Sequence, residues 1–279
     1  MPETGPSLEA VAEFYSNTEA VRILSGENIH LGYWASGQGD ATLAEAQENL
    51  TDLVAARTGI RAEQRLLDVG CGTGGPARHI THTTRAHVTG ISLSAKQVET
   101  ATVLSHEEGL DNDTEYHVAD AVCLPFGDGS FDAAIAIESI LHMPDKLQAL
   151  REIHRVLRPG AQLVIADLTM ALQAVPAIPT PPSALARSLV SVPSRDIYRQ
   201  LASEAGFHVE DSVDISEQTK LSYAQLLERL THSRNELIAV CGTEQVTAIE
   251  EMVTWHAAAA DVGYIGYLLL MARKPSQRP

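Results

Sequence analysis

An apolar run that passes without a break into a chain of glycines constrains this sequence more than any other feature: Leu66-Leu67-Asp68-Val69-Gly70-Cys71-Gly72-Thr73-Gly74-Gly75. The apolar half predicts a buried strand, and the glycines at alternate positions predict a sharp turn where backbone and ligand approach without Cβ atoms between them. Asp68 lies two residues before the first glycine. A carboxylate there accepts a hydrogen bond from the ammonium group of an amino-acid-like ligand. A dinucleotide site instead sets its pyrophosphate on the helix N-terminus, where a fixed carboxylate repels it. The plainer alternative is a tight strand-to-helix turn that Asp68 only caps.

Around this run, from Gln64 to Met170, short aliphatic runs alternate with helical stretches, the pattern of βαβ units on a parallel sheet. Strands are predicted at Arg65–Val69, His87–Ser92, Ala133–Glu138 and Gln162–Leu168, with a weaker one at Glu115–Ala119. A helix after Pro144 carries Leu147, Leu150 and Leu157 and is predicted to stop at Arg158-Pro159-Gly160. Ahead of this core are a helix around Leu8–Ser16, a glycine and aromatic segment at Asn28–Trp34 and a helix at Leu43–Ala56. Behind it, the proline-rich stretch Ala177–Pro182 ends the core. A helix at Asp196–Ala205, a strand at His208–Ile215, helices over Ser222–Trp255 and a β-rich run at Gly263–Arg273 follow. The expected organisation is a helical lid over residues 1–58, an α/β core over 59–170, and a substrate-covering helical insertion with the last strands over 171–279.

Composition narrows the partners. With 20 Lys and Arg against 36 Asp and Glu, the formal charge is -16, and such a surface repels nucleic acid and anionic membranes. Cys71, Cys123 and Cys241 form no CxxC pair and fit a reducing cytoplasm as free thiols. Residues Met1–Glu13 lack the basic and apolar regions of a signal peptide. The run Tyr264–Ala272 is interrupted by Gly266 and is too short to span a bilayer. His30, His79, His82, His154 and His256 show no metal-ligand spacing, so no metal is expected. A small-molecule substrate is expected, and a homo-oligomer is left open.

The remaining candidates cluster at strand ends. The second strand ends Gly90-Ile91-Ser92-Leu93-Ser94, with Gln97 on the next helix, where nucleotide enzymes place an acid for the ribose diol. Ser92 and Gln97 supply hydrogen bonds instead. Asp120 is placed to accept from an adenine amino group beside apolar residues, or else only caps a turn. The fourth strand ends at Glu138-Ser139-Ile140-Leu141-His142-Met143-Pro144-Asp145, at the mouth of the sheet.

With these motifs in place, the stretch Asn28–Met170 resembles class I S-adenosylmethionine-dependent methyltransferases of the small-molecule branch. The resemblance implies a Rossmann-like α/β fold, a mostly parallel sheet with an antiparallel last strand, an N-terminal helical lid and a helical insertion. It implies S-adenosylmethionine as cofactor. Asp68, Gly70 and Gly72 would then hold the methionine end, Ser92 and Gln97 the ribose, and Asp120 and Ala121 the adenine, with Cys71, Glu138 and Tyr33 completing the set. Tyr15 and the Asn28–Trp34 segment resemble the lid that closes over the cofactor. In pattern the chain is similar to rebeccamycin-type sugar O-methyltransferases and, over its whole length, to teleocidin-type C-methyltransferases acting on a prenyl chain of an indolactam.

His142, Asp167 and Tyr15 are the catalytic candidates. A hydroxyl acceptor needs a proton acceptor, for which His142 comes first and Asp167 second. The sugar enzymes carry two adjacent histidines before Met-Pro-Asp, whereas this chain has Leu141-His142. That loss tilts the expectation towards C-methylation of an apolar prenyl or terpenoid chain on an indole alkaloid, with carbocation-driven cyclisation as a sequel, over O-methylation of a sugar or other natural product. His142 as a packed helix-start residue, and Tyr33, Trp34, Tyr198, Tyr223 and Trp255 as core aromatics, are the plainer alternatives. From other classes, a nicotinamide dehydrogenase shares the glycine loop but lacks support from Asp68, Ser92 and Asp120, and a non-catalytic cofactor-binding protein would share the binding motifs.

Overall fold

Periodicity in the C-terminal strand shows how the layers form. In Ile265–Arg273 (β7), Leu268 and Leu270 point into one apolar layer and Leu269 and Met271 into another, because successive strand side chains face opposite ways. A strand buried on both faces must lie inside a sheet covered by helices on both sides. The computed structural model, which describes residues 17–35, 39–171 and 192–276, has that arrangement.

Seven strands form one sheet in the order β3-β2-β1-β4-β5-β7-β6. They are β1 (Arg65–Val69), β2 (His87–Ser92), β3 (Thr114–Val118), β4 (Phe131–Ile137), β5 (Leu157–Met170), β6 (His208–Asp214) and β7. β1 pairs in parallel with β2 and β4, and β7 runs antiparallel between β5 and β6. The order reverses at β1, so the carboxyl ends of β1 and β4 open onto a crevice where ligands of such sheets bind.

The helices are α1 (Thr18–Ser25), α2 (Leu43–Thr58), α3 (Gly75–Thr84), α4 (Ala95–Glu107), α5 (Lys146–Val156), α6 (Arg195–Glu204), α7 (Ser216–Thr219) and α8 (Leu221–Asp261). α2 begins in a capping box, Thr42 with Glu45, and ends at Gly59 in the left-handed region. Ser94 and Asp145 cap α4 and α5 by accepting the amides of Gln97 and Gln148. α7 and α8 lie between β6 and β7, and α8 is broken at Gly242. α1 packs on α8 through Ala20, Leu230, Val246 and Val253.

The helix after Pro144 stops before Arg158-Pro159-Gly160 as expected, but the next strand starts well before Gln162, because Leu157 already pairs with Phe131 and the Gly160 amide donates to the Lys274 carbonyl. α1 was not anticipated; the expected helix at Leu8–Ser16 and the break at Ala177–Pro182 lie outside the described residues. Among the described residues no helix is long and apolar enough to cross a membrane, and no cluster of three or more His, Cys, Asp or Glu is grouped to hold a metal ion.

Candidate active site

The glycine turn after β1 is built by its neighbours as much as by its own residues. Gly70 has φ 82°, and a Cβ there would lie 2.4 Å from the Ser139 Cβ. Only glycine fits between the ends of β1 and β4. At Gly72, φ 54°, the nearest atom to such a Cβ is Ile29 Cδ1 at 3.2 Å. Both glycines line a cleft with Ser92, Gln97, Asp120 and His142.

Ala121 and Glu138 also line that cleft, so eight of the expected site residues meet in one place. The Ser92 hydroxyl donates to Gln97 Oε1 at 2.7 Å, and Asp120 Oδ1 accepts the Val122 amide. Asp68 is 2% exposed and stands in β1 behind the glycines, not on the cleft wall. Burial pushes its carboxyl up to about 7. Its Oδ2 has no hydrogen-bond partner among the described residues. A buried acceptor without a donor is costly, and a ligand bearing an ammonium group beside the turn supplies one; the residues present therefore fit S-adenosylmethionine.

Three expected members stand elsewhere. Cys71 is buried beneath the turn, where a Cβ on Gly90 would lie 2.8 Å from its Sγ, and burial pushes its thiol up. It packs the turn and its side chain does not reach the cleft. Tyr33 packs against the apolar layer holding Leu50 and Val54, away from the cleft. Asp167 is 0% exposed. Its Oδ2 accepts the Leu141 amide at 3.0 Å and the Tyr198 hydroxyl at 2.8 Å, and its Oδ1 accepts the Leu168 amide. A carboxylate held from three sides beneath the site is not placed to meet an acceptor, and it instead fixes the turn Ile140–His142 that carries His142 to the cleft. Tyr15 lies outside the described residues.

Leu141, beside His142, is 1% exposed and does not line the cleft, so it offers no apolar face to an acceptor there.

A second cavity, which no local pattern in the sequence predicts, adjoins the first. Its walls are largely apolar, with Leu24 from α1 and Ile249, Met252 and Val253 from the second arm of α8. Ile29 and Glu138 line both cavities. His30, on the same wall, is held neutral, its pKa pushed down to about 4 by burial. The hydrophobic spacing of α8 was visible in the sequence, but nothing local showed that its two arms close a chamber with α1.

Residues 67–165 match the family model described as a methyltransferase domain. The chain is 36% identical over 284 residues to 27-O-demethylrifamycin SV methyltransferase of Amycolatopsis mediterranei, covering 98% of this chain and 97% of that one. It belongs to the class I S-adenosylmethionine-dependent small-molecule methyltransferases. The methyltransferase is also 31% identical to (+)-O-methylkolavelool synthase of Herpetosiphon aurantiacus, over 96% of this chain and 95% of that protein. The crystal structure of the [4+2]-cyclase SpnF superposes with a TM-score of 0.86 at 33% identity, covering 98% of each chain. The methyltransferase uses S-adenosylmethionine and acts in secondary metabolism.

Proposed function

We propose that this methyltransferase methylates an alkene carbon in the prenyl or terpenoid chain of a small apolar metabolite, an indole alkaloid of the teleocidin type being the pattern it resembles. The observation that carries this reading is the apolar chamber abutting the cofactor cleft at Ile29 and Glu138.

Asp68 receives the cofactor's ammonium, Ser92 and Gln97 its ribose, and Asp120 and Ala121 its adenine. Bound there, S-adenosylmethionine supplies a methyl group already activated by its sulfonium. What the chain must add is alignment and exclusion of water. Leu24, Ile249, Met252 and Val253 do both for a hydrocarbon chain. An alkene gaining a methyl group keeps one positive charge, which leaves as a proton, either directly to form a new alkene or after attack by the indole ring to close a ring. His142 on the cleft wall takes that proton. The cap, residues 17–35 with α8, covers the acceptor.

O-methylation of a hydroxyl is the second reading, favoured by the name of the rifamycin relative and by His142 as a base. Mass spectrometry and NMR of the products from prenylated indoles, sterols and glycosides separate the two. A new carbon-bound methyl on the prenyl chain is the expected result. Products carrying only O-methyl groups overturn it.

A further inference from the structure

Glu138 follows β4 with φ 45°, one of three non-glycine residues with positive φ among those described. Arg85 caps the end of α3, and Glu63 is an exposed turn residue. Glu138 is at the sheet mouth, and its own amide still donates to the Ala166 carbonyl at 2.8 Å. A side chain in this region costs about 1 kcal/mol or more and persists where its surroundings hold it. Glu138 Oε1 accepts the Leu31 amide at 2.6 Å and the Tyr267 hydroxyl at 2.8 Å. Leu31 belongs to the cap segment and Tyr267 to β7, so one oxygen joins cap to sheet.

The segment has other fastenings. The Gln47 amide donates to the carbonyls of Ser25, Asn28 and His30, Ser222 Oγ accepts the Gly32 amide, and the Gln218 carbonyl accepts the Trp34 amide. Those partners lie on α2, α7 and α8. Glu138 fastens the segment to the sheet itself, next to Ile29 in the partition between the two cavities.

We infer that Glu138 is a positioning residue that latches the cap onto the sheet and thereby fixes Ile29, and with it the separation between methyl group and acceptor. The inference rests on the reading of the apolar chamber as the acceptor's. An amide oxygen can accept the same two hydrogen bonds without charge. Glu138→Gln should therefore recover most of what Glu138→Ala loses.

The test compares E138A, E138Q and Y267F for hydrogen exchange at the Leu31 amide, S-adenosylhomocysteine affinity, and kcat and acceptor KM with the panel compound that turns over fastest. E138A should lose Leu31 protection and lower kcat about 10- to 100-fold, the scale of a misplaced reactant, a larger change than it makes in cofactor affinity. E138Q should restore Leu31 protection and bring kcat to within about threefold of wild type. Y267F should lower kcat less than E138A does, and add nothing in the E138A background, because both act through one latch. An E138Q as impaired as E138A, or an E138A with wild-type kcat, overturns the latch. If E138A does not fold, wild-type kcat in Y267F overturns it. These readouts hold for a carbon- or an oxygen-methylated product. Met252→Trp, which fills the chamber without touching Glu138, tests the chamber separately: an unchanged acceptor KM rejects the chamber alone.

Discussion

The hydroxyl of Tyr198 donates to Asp167 Oδ2 across 2.8 Å, at a point where both residues are 0% exposed. The same oxygen accepts the Leu141 amide, so α6 and the His142 turn share one buried acceptor. Asp167→Ala strands the Leu141 and Leu168 amides and the Tyr198 hydroxyl, and should cost about 3 kcal/mol or more. Tyr198→Phe removes one donor, and should cost about 1 kcal/mol. Urea unfolding of the two variants checks the order, and equal losses would show that the Leu141 amide finds another partner.

Three buried carboxyls should make stability of the free protein fall as pH rises, outweighing buried His30, whose depressed pKa of about 4 acts in the opposite sense up to about pH 6.5. Burial pushes Asp68 and Glu138 up to about 7 and Asp167 up to about 8. A carboxyl whose folded pKa is raised contributes stability that is fully present below its unfolded value and is lost as pH rises through the folded value. From unfolded values of 3.8 to 4.5, the decline should run from pH about 4 to about 8. Urea midpoints measured across that window check it, and Asp68→Asn should flatten the portion below pH 7. A midpoint that rises from pH 5 to 8 would contradict the burial of these groups.

Cofactor binding should reverse the sign at Asp68. The ammonium of S-adenosylhomocysteine favours the carboxylate, so binding between pH 6 and 7 should release a proton and tighten as pH rises through about 7. Calorimetry in two buffers of different ionisation enthalpy counts the proton. Asp68→Asn should bind about 10-fold or more weakly, the loss of one charge-assisted hydrogen bond, with no proton released. Proton release that survives the substitution would place the ammonium elsewhere.

Gly70 and Gly72 should respond differently to alanine. At Gly70 the new Cβ would meet Ser139 at 2.4 Å with φ 82°, and the fold should lose about 2 kcal/mol or more. At Gly72 it would meet only the end of Ile29 at 3.2 Å, so the protein should fold with a loss of about 1 kcal/mol. Binding of S-adenosylhomocysteine should nonetheless fall sharply there, since the added methyl enters the cleft. Thermal denaturation with calorimetry separates the two effects, and unchanged affinity in folded Gly72→Ala would remove this wall from the cofactor site.

His142→Ala distinguishes the two chemistries. With an alkene acceptor, single-turnover methyl transfer should be nearly independent of pH, and the substitution should change mainly which proton is lost and therefore the product mixture. With a hydroxyl acceptor, the rate should fall about 10²-fold, the scale of a general base. A steep pH dependence abolished by His142→Ala, with products unchanged, would move the reading to O-methylation.

Local sequence determined the strands, the glycine turn and the first-turn caps, because each depends on periodicity or on residues within a few positions of one another. Thus β1 and β2 fall where Arg65–Val69 and His87–Ser92 predict them, and Gly70, Gly72, Ser92, Gln97 and Asp120 line one cleft. The extension of β5 through Pro159 and Gly160 depended instead on Phe131 and Lys274, partners far along the chain. Asp167 reads as a site residue because it sits at a strand end, but burial and three hydrogen bonds turn it inward. The second cavity and the Glu138 latch join residues more than 100 positions apart, Leu31 with Glu138 and Glu138 with Tyr267. No periodicity encodes such a pairing. It exists because packing α1 and α8 over the sheet mouth brings Leu31 and Tyr267 to one carboxylate oxygen, and that is a property of the tertiary structure.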